Sequence, residues 1–244
     1  MRSPPGELVV TAGPAAAAIE ASSRMGDVLR RAIGDRGSAS MALSGGNTPR
    51  GAYSALAKES GIAWSKVDVF WVDERAVAPT DDRSNFRWVK ATLLDAAPIP
   101  ADRVVRMQAE RSDREAAASD YERALRERVT AGEDGIPAFD VVVLGIGDDG
   151  HTASLFPGEP TIDVVDRLVA AVPARPGREA RLTLTAPVIR RAREVVVVLV
   201  GQSKHDALNR TWDDEGDVHE TPARLIRTCV GKVLWVVDEA VLRD

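Results

Sequence analysis

Residues 139–151 read Phe-Asp-Val-Val-Val-Leu-Gly-Ile-Gly-Asp-Asp-Gly-His. Val141, Val142, Val143 and Leu144 show no polar alternation, which is the pattern of a strand buried on both faces of a parallel sheet. Three glycines follow and let the backbone turn sharply, at a cost in conformational entropy. In an open α/β sheet, ligands bind at the carboxyl ends of central strands. This strand ends in two carboxylates, Asp148 and Asp149, and in His151, the side chain best suited to carry a proton near neutral pH. A Gly-Asp-Asp-Gly segment alone is an ordinary turn and a single histidine an ordinary loop residue. A chemical reading therefore depends on what else reaches the same edge.

A second loop of the same kind is Leu43-Ser44-Gly45-Gly46-Asn47-Thr48-Pro49-Arg50-Gly51. It follows the apolar segment 39–43 and precedes a helical pattern in which Tyr53, Leu56 and Ala57 share a face. Thr48 reads as the N-cap and Pro49 as the first helical residue. Gly45 and Gly46 allow close approach of a ligand, and the open N–H groups and positive end of the helix favour an anion. Ser44, Asn47 and Thr48 add side-chain donors, so a phosphate suits this turn. It is not a Walker A loop, since no Gly-Lys-Ser/Thr closes it, and it lacks the Gly-x-Gly-x-x-Gly dinucleotide pattern.

A third strand, 67–72, runs into Asp73-Glu74-Arg75. Arg75 presents a planar fork suited to phosphate or carboxylate; Asp73 is placed to orient a proton carrier or to hold Arg75. A surface ion pair is the plain alternative. Ser84 or Asn85 caps a helix through Trp88, Val89, Leu93 and Leu94.

Around these units, strands and helices alternate. Strands are expected at 8–10, 39–43, 67–72, 141–146, 168–172, 195–200 and 233–237, the last closing the sheet. Helices are expected at 14–33 (ending near Gly34), after the phosphate turn to Ser60, at 85–94, 112–129 and 204–212. Residues 174–180 read as a mobile loop. This pattern predicts a doubly wound, mostly parallel α/β sheet with helices on both faces, Rossmann-like, as a single domain over residues 1–244.

The 244-residue chain is 44% hydrophobic, enough for a sizeable core, and its net charge of −5 argues against general nucleic-acid binding. Cys229 is the only cysteine, so no intrachain disulfide forms; its apolar neighbours suggest an inert thiol, and a reducing, cytoplasmic compartment fits. No apolar run reaches the roughly 18 residues of a membrane span, and Arg2 with Ala15–Ala18, then Glu20, Arg24 and Asp27, reads as an amphipathic helix rather than a signal peptide. No His/Cys/Asp group has metal-ligand spacing, so neither metal nor cofactor is expected. Lys204 has the charge to neutralise an anion but reads better as a solvated lysine at a helix start, His205 and His219 as surface residues. No apolar seam suggests an oligomer, and a monomer is the default, with a dimer as the alternative.

Four blocks carry a resemblance: Ser-Gly-Gly-Asn-Thr-Pro (44–49), Trp-Val-Asp-Glu-Arg (71–75) with Ser-Asn (84–85), Gly-Ile-Gly-Asp-Asp-Gly-His-Thr-Ala-Ser-Leu-Phe-Pro (145–157) and Arg-Leu-Thr-Leu-Thr-Ala-Pro-Val-Ile (181–189). In this order they resemble the bacterial 6-phosphogluconolactonase family. The related glucosamine-6-phosphate deaminases share the Gly-x-Gly-x-Asp-Gly-His core but continue Ile-Ala-Phe-Asn-Glu-Pro, where this chain has Thr-Ala-Ser-Leu-Phe-Pro. The resemblance implies hydrolysis of 6-phospho-D-glucono-1,5-lactone, with Arg181, or Arg178 nearby, helping to hold the phosphate. On this reading the phosphate sits on Ser44, Gly45, Gly46, Asn47 and Thr48 with Arg75 and Arg181. His151 activates water, Asp73 or Asp149 orients the imidazole, and N–H groups of the glycine-rich loop stabilise the oxyanion. A covalent route through Ser154 is disfavoured because no Gly-x-Ser-x-Gly elbow surrounds it. Two rivals are an amino-sugar-phosphate isomerase or deaminase with Asp73 as base, and a non-catalytic sugar-phosphate sensor. The sensor would be expected to carry a DNA-reading segment, for which a fold starting near residue 8 leaves no room.

Overall fold

A computed structural model describes residues 4–243; Arg2 lies outside them. Its centre is a six-stranded, all-parallel sheet. The strands are β1 (Glu7–Thr11), β2 (Ala39–Leu43), β3 (Val67–Trp71), β5 (Val141–Leu144), β8 (Glu194–Leu199) and β9 (Lys232–Asp238), in the spatial order β1-β9-β8-β5-β2-β3. Every residue of β2, β3 and β5 is buried. That requires cover on both faces and accounts for the unbroken apolar runs in the sequence. The expected Rossmann-like architecture is present.

Helix α1 (Pro14–Arg36) packs on β8, β9, β2 and on α2 (Asn47–Leu56). It runs through Gly34 and stops at Gly37, which adopts φ 80°. Gly34 was the expected stop, but a glycine ends a helix only where the chain needs the left-handed conformation, and that falls three residues later. The strand β9 does not close the sheet: β1 pairs outside it, Leu8 opposite Trp235 and Val9 opposite Val236. No described helix is long and apolar enough to cross a membrane.

A second sheet was not foreseen. Strands β4 (Asp73–Arg75), β6 (Val169–Val172) and β7 (Arg181–Leu184) form an antiparallel sheet in the order β4-β7-β6, with Asp73 opposite Thr183 and Arg75 opposite Arg181. Short strands reveal their composition but not their partners, so 168–172 read as one more strand of the main sheet. This small sheet is what carries Asp73, Arg75 and Arg181 to one place. The remaining helices are α3 (Asn85–Val89), which continues as a wider π turn to Leu94, α4 (Arg114–Arg128), α5 (Ala186–Arg191) and α6 (His205–Trp212). The segment expected to be a mobile loop is a closed turn: Arg175 and Arg178 exchange two backbone hydrogen bonds of 2.9 Å.

Candidate active site

Strand β2 leads to β3 on one side of the sheet, while β5 leads to β8 and β9 on the other. Strand order therefore reverses between β2 and β5, and a crevice forms where the loops leaving adjacent strands diverge. A cleft of about 320 Å³ opens there. Its wall includes Ser44, Gly45, Gly46, Asn47 and Thr48 from the β2 loop, Asp73 and Arg75 from β4, His151 from the β5 loop and Arg181 from β7. Of the sequence-predicted site residues Asp149 and the alternative Arg178 are off the wall, and Asp149 contacts the imidazole directly.

The β2 loop differs in detail from its expected cap. Gly46, at φ 97°, is the N-cap of α2, and no side chain caps the helix. Thr48 and Pro49 lie inside the first turn, so the N-terminal N–H groups of this helix are not taken by a capping side chain. The Ser44 hydroxyl is buried with no hydrogen-bond partner, while its carbonyl accepts from the buried Tyr53 hydroxyl at 2.9 Å. Gly45 is required by packing, since a Cβ there would lie 1.8 Å from Oδ1 of Asn85. Donors without internal partners beside a helix N-terminus suit a phosphate.

His151 has one carboxylate partner. Its ring Nδ1 lies 2.6 Å from Oδ1 of Asp149, and its backbone N–H donates to the same oxygen at 3.1 Å. Burial opposes ionisation of Asp149, but these two hydrogen bonds and the nearby imidazole overcome it and hold the carboxyl at about 2. An ionised carboxylate only accepts, so Nδ1 carries the proton and Nε2 keeps the free lone pair. Asp73 makes its contacts elsewhere. It is 4% exposed, accepts from Ser154 Oγ at 2.6 Å and from Asn85 Nδ2 at 3.2 Å, and lies 3.5 Å from the Arg181 guanidinium. It thus ties the loop after His151 to α3 and β7. Ser154 is fully buried with its hydroxyl committed to Asp73, which leaves it no role as a nucleophile. Three N–H groups of the glycine-rich loop are already engaged: Gly147 donates to His151 O, Gly150 to Gly147 O, and His151 to Asp149 Oδ1. Between these anchors Ala153 adopts φ 51°, a left-handed conformation that an alanine holds only when its neighbours are pinned.

Sequence reasoning missed three residues here. Glu74 is 3% exposed and accepts from the N–H groups of Arg75 (2.8 Å), Asn85 (2.8 Å) and Phe86 (2.7 Å) and from Ser84 Oγ (3.0 Å). Burial raises its pKa, against the pull of those backbone donors. The native state then holds this proton more tightly than the unfolded chain, so the group's contribution to stability falls as pH rises through the carboxylate range. Glu74→Ala would strand several buried donors and is expected to lower stability by roughly 1–3 kcal/mol, read as a lower melting temperature. Glu74→Gln keeps an acceptor and should lose less; equal melting points for wild type and the alanine variant would contradict this role. Asn85, read as a cap candidate, lines the cleft and orients Asp73, while Ser84 is the cap that accepts from Arg87. Lys204 is not a solvated lysine: it lines the cleft and pairs with Asp148 at 2.7 Å. Only the chain crossing from β8 back over the β5 loop places it there.

Arg178 and Arg181 have different surroundings. Arg181 is largely buried on the cleft wall; that burial lowers its pKa, with Asp73 opposing. Arg178 is not on the cleft wall and binds Glu159 at 2.6 Å. His219 is exposed between Asp163 and Asp217, each at 2.8 Å, and His205 is half-buried against Val241 O at 2.9 Å. Burial pushes the Cys229 thiol up to about 12, in keeping with an inert thiol.

Comparison with known proteins agrees with this geometry. Residues 12–235 match the family described as glucosamine-6-phosphate isomerases/6-phosphogluconolactonase. The chain is 42% identical over 213 residues to 6-phosphogluconolactonase of Synechocystis sp., covering 86% of each chain. It is 35% identical over 243 residues to that of Streptomyces coelicolor, covering 96% of this chain and 92% of the relative. The structure of 6-phosphogluconolactonase from Trypanosoma brucei superposes with a TM-score of 0.86 at 26% identity, covering 99% and 98% of the two chains. With the phosphate-suited turn, the guanidinium pair and the imidazole on one cleft wall, these similarities place the chain in the glucosamine-6-phosphate isomerase/6-phosphogluconolactonase family.

Proposed function

We propose that the chain hydrolyses 6-phospho-D-glucono-1,5-lactone to 6-phospho-D-gluconate, the second step of the oxidative pentose phosphate pathway, with His151 as general base. The observation that carries this reading is the shared cleft, where the β2 turn, Arg75, Arg181 and His151 face one space of about 320 Å³. The substrate phosphate docks on residues 44–48 with Arg75 and Arg181, which presents the ring carbonyl to His151. Nε2 takes a proton from water as the oxygen attacks C1, and the imidazolium, held by Asp149, returns a proton to the departing ring oxygen. Asp73 acts at one remove, by holding the loop that carries His151. The N–H groups of the glycine-rich loop, which reaches the cleft wall through Gly145 and Ile146, meet the oxyanion. We read residues 1–244 as one domain working as a cytoplasmic monomer, without metal or cofactor.

The test is a stopped assay on freshly generated lactone with the uncatalysed rate subtracted. Rapid hydrolysis supports the reading; no hydrolysis together with ammonia release from glucosamine 6-phosphate would replace it. Arg75→Ala is expected to raise KM for the phosphorylated lactone about 10- to 100-fold, the equivalent of one charge-assisted hydrogen bond, with little change in kcat. The unphosphorylated lactone serves as control. A loss of equal size on both substrates would mean that Arg75 does not read the phosphate.

A further inference from the structure

Phe156 and Arg178 are off the cleft wall and outside the mechanism above, yet they back the imidazole. The Phe156 ring is buried, and its centroid lies 4.6 Å from that of His151 with the planes inclined by 39°. The Arg178 guanidinium carbon sits 3.8 Å from the centre of the same phenyl ring. Glu159 holds that guanidinium at 2.6 Å and Arg175 through two hydrogen bonds of 2.8 Å. Arg175 and Arg178 are themselves locked by their two backbone hydrogen bonds, so the cation rests on a closed turn.

The other contacts of the imidazole leave one freedom unconstrained. Asp149 fixes Nδ1, and Gly147 crowds the Nδ1–Cε1 edge. A hydrogen bond at one nitrogen sets the tautomer and a direction, but the ring can still tilt about that bond. A buried aromatic face resists tilting, and a cation over the phenyl ring resists displacement of that face in turn.

We propose that Phe156 and Arg178, braced by Glu159, are positioning residues that set the plane of the His151 ring for proton transfer. The inference rests on His151 acting as the base. Neither residue lines the cleft, so loss of either lowers turnover rather than binding.

The experiment compares full-length wild type with Phe156→Leu, Arg178→Met and Arg178→Lys, folded by circular dichroism. It measures kcat and KM on the fresh lactone and the side-chain ¹⁵N spectrum of the histidines. With only three histidines in the chain, His151→Ala assigns the signal. Phe156→Leu and Arg178→Met should lower kcat about tenfold, within the loss that sub-ångström misplacement of a reacting group produces, with KM changed less than about twofold. The His151 Nδ1–H signature should broaden in both. Lysine at 178 keeps a cation over the ring and should restore most of kcat. Arg178 is partly exposed where Phe156 is buried, so its variants carry the test if Phe156→Leu fails to fold. Full kcat in the folded variants, or a rise in KM alone, overturns the inference. An inactive wild type would instead overturn the lactonase reading, whereas an active wild type silenced by His151→Ala isolates the failure to the positioning role.

Discussion

His151→Ala is expected to lower kcat on the phosphorylated lactone by about 10²- to 10⁴-fold, the usual worth of a positioned general base, with KM nearly unchanged. The ring is the one titratable group on the cleft wall that is both partnered for its tautomer and left with a free lone pair. Asp149 stays ionised down to about pH 2, so a loss of activity well above that pH does not report protonation of this carboxylate. His151 is partly exposed and touches the buried interior only at Phe156, so the alanine variant should fold and bind the product phosphate as before. Steady-state kinetics on fresh lactone, with spontaneous opening subtracted, decides the matter. A folded variant turning over within threefold of wild type would remove His151 from the chemistry.

Gly147→Ala should have the second largest effect, about 10²-fold in kcat. A Cβ at 147 would lie 2.0 Å from Nδ1 and 2.1 Å from Cε1 of His151 and 2.7 Å from Asp149 Oδ1. The loop is anchored at both ends: Thr152 Oγ1 donates to Gly145 O at 2.9 Å, and Gly147 N–H donates to His151 O at 2.8 Å. The yielding element is therefore the imidazole, which must leave the carboxylate that sets its tautomer. Displacing a reacting group by about 1 Å costs about 10²-fold in rate. Thermal melting separates this from unfolding: the variant should melt close to wild type yet lose the Nδ1–H signature of His151. Retained turnover in the folded alanine variant would mean that the His151–Asp149 contact is dispensable.

The two variants differ in how visible they were beforehand. His151 stands out from the composition of its loop alone. Gly147 reads as one of three turn-makers, and only the ring packed on its Cα shows that a methyl there would displace the imidazole. Asp73 and Asp149 illustrate the same divide. Both were candidates to orient the imidazole, since each is an aspartate at a strand end. Residue 149 is two positions from the ring and curls back in a tight turn, whereas 73 reaches the loop only through Ser154.

What the sequence determined by itself is the local grammar. Apolar runs without alternation specify strands buried on both faces. Glycines followed by a helical pattern specify turns open to an anion, and the order of those units specifies a doubly wound sheet. Each of these properties depends on residues within a few positions of one another, so each is written in the chain. Tertiary structure alone decided the rest. It set β4, β6 and β7 into a separate antiparallel sheet, which brings Arg75 opposite Arg181. It buried Glu74 under the start of α3, carried Lys204 over to Asp148, and set Arg178 against Glu159 and Phe156. These are pairings between residues tens of positions apart, and their energies depend on burial and geometry that exist only once the sheet has formed.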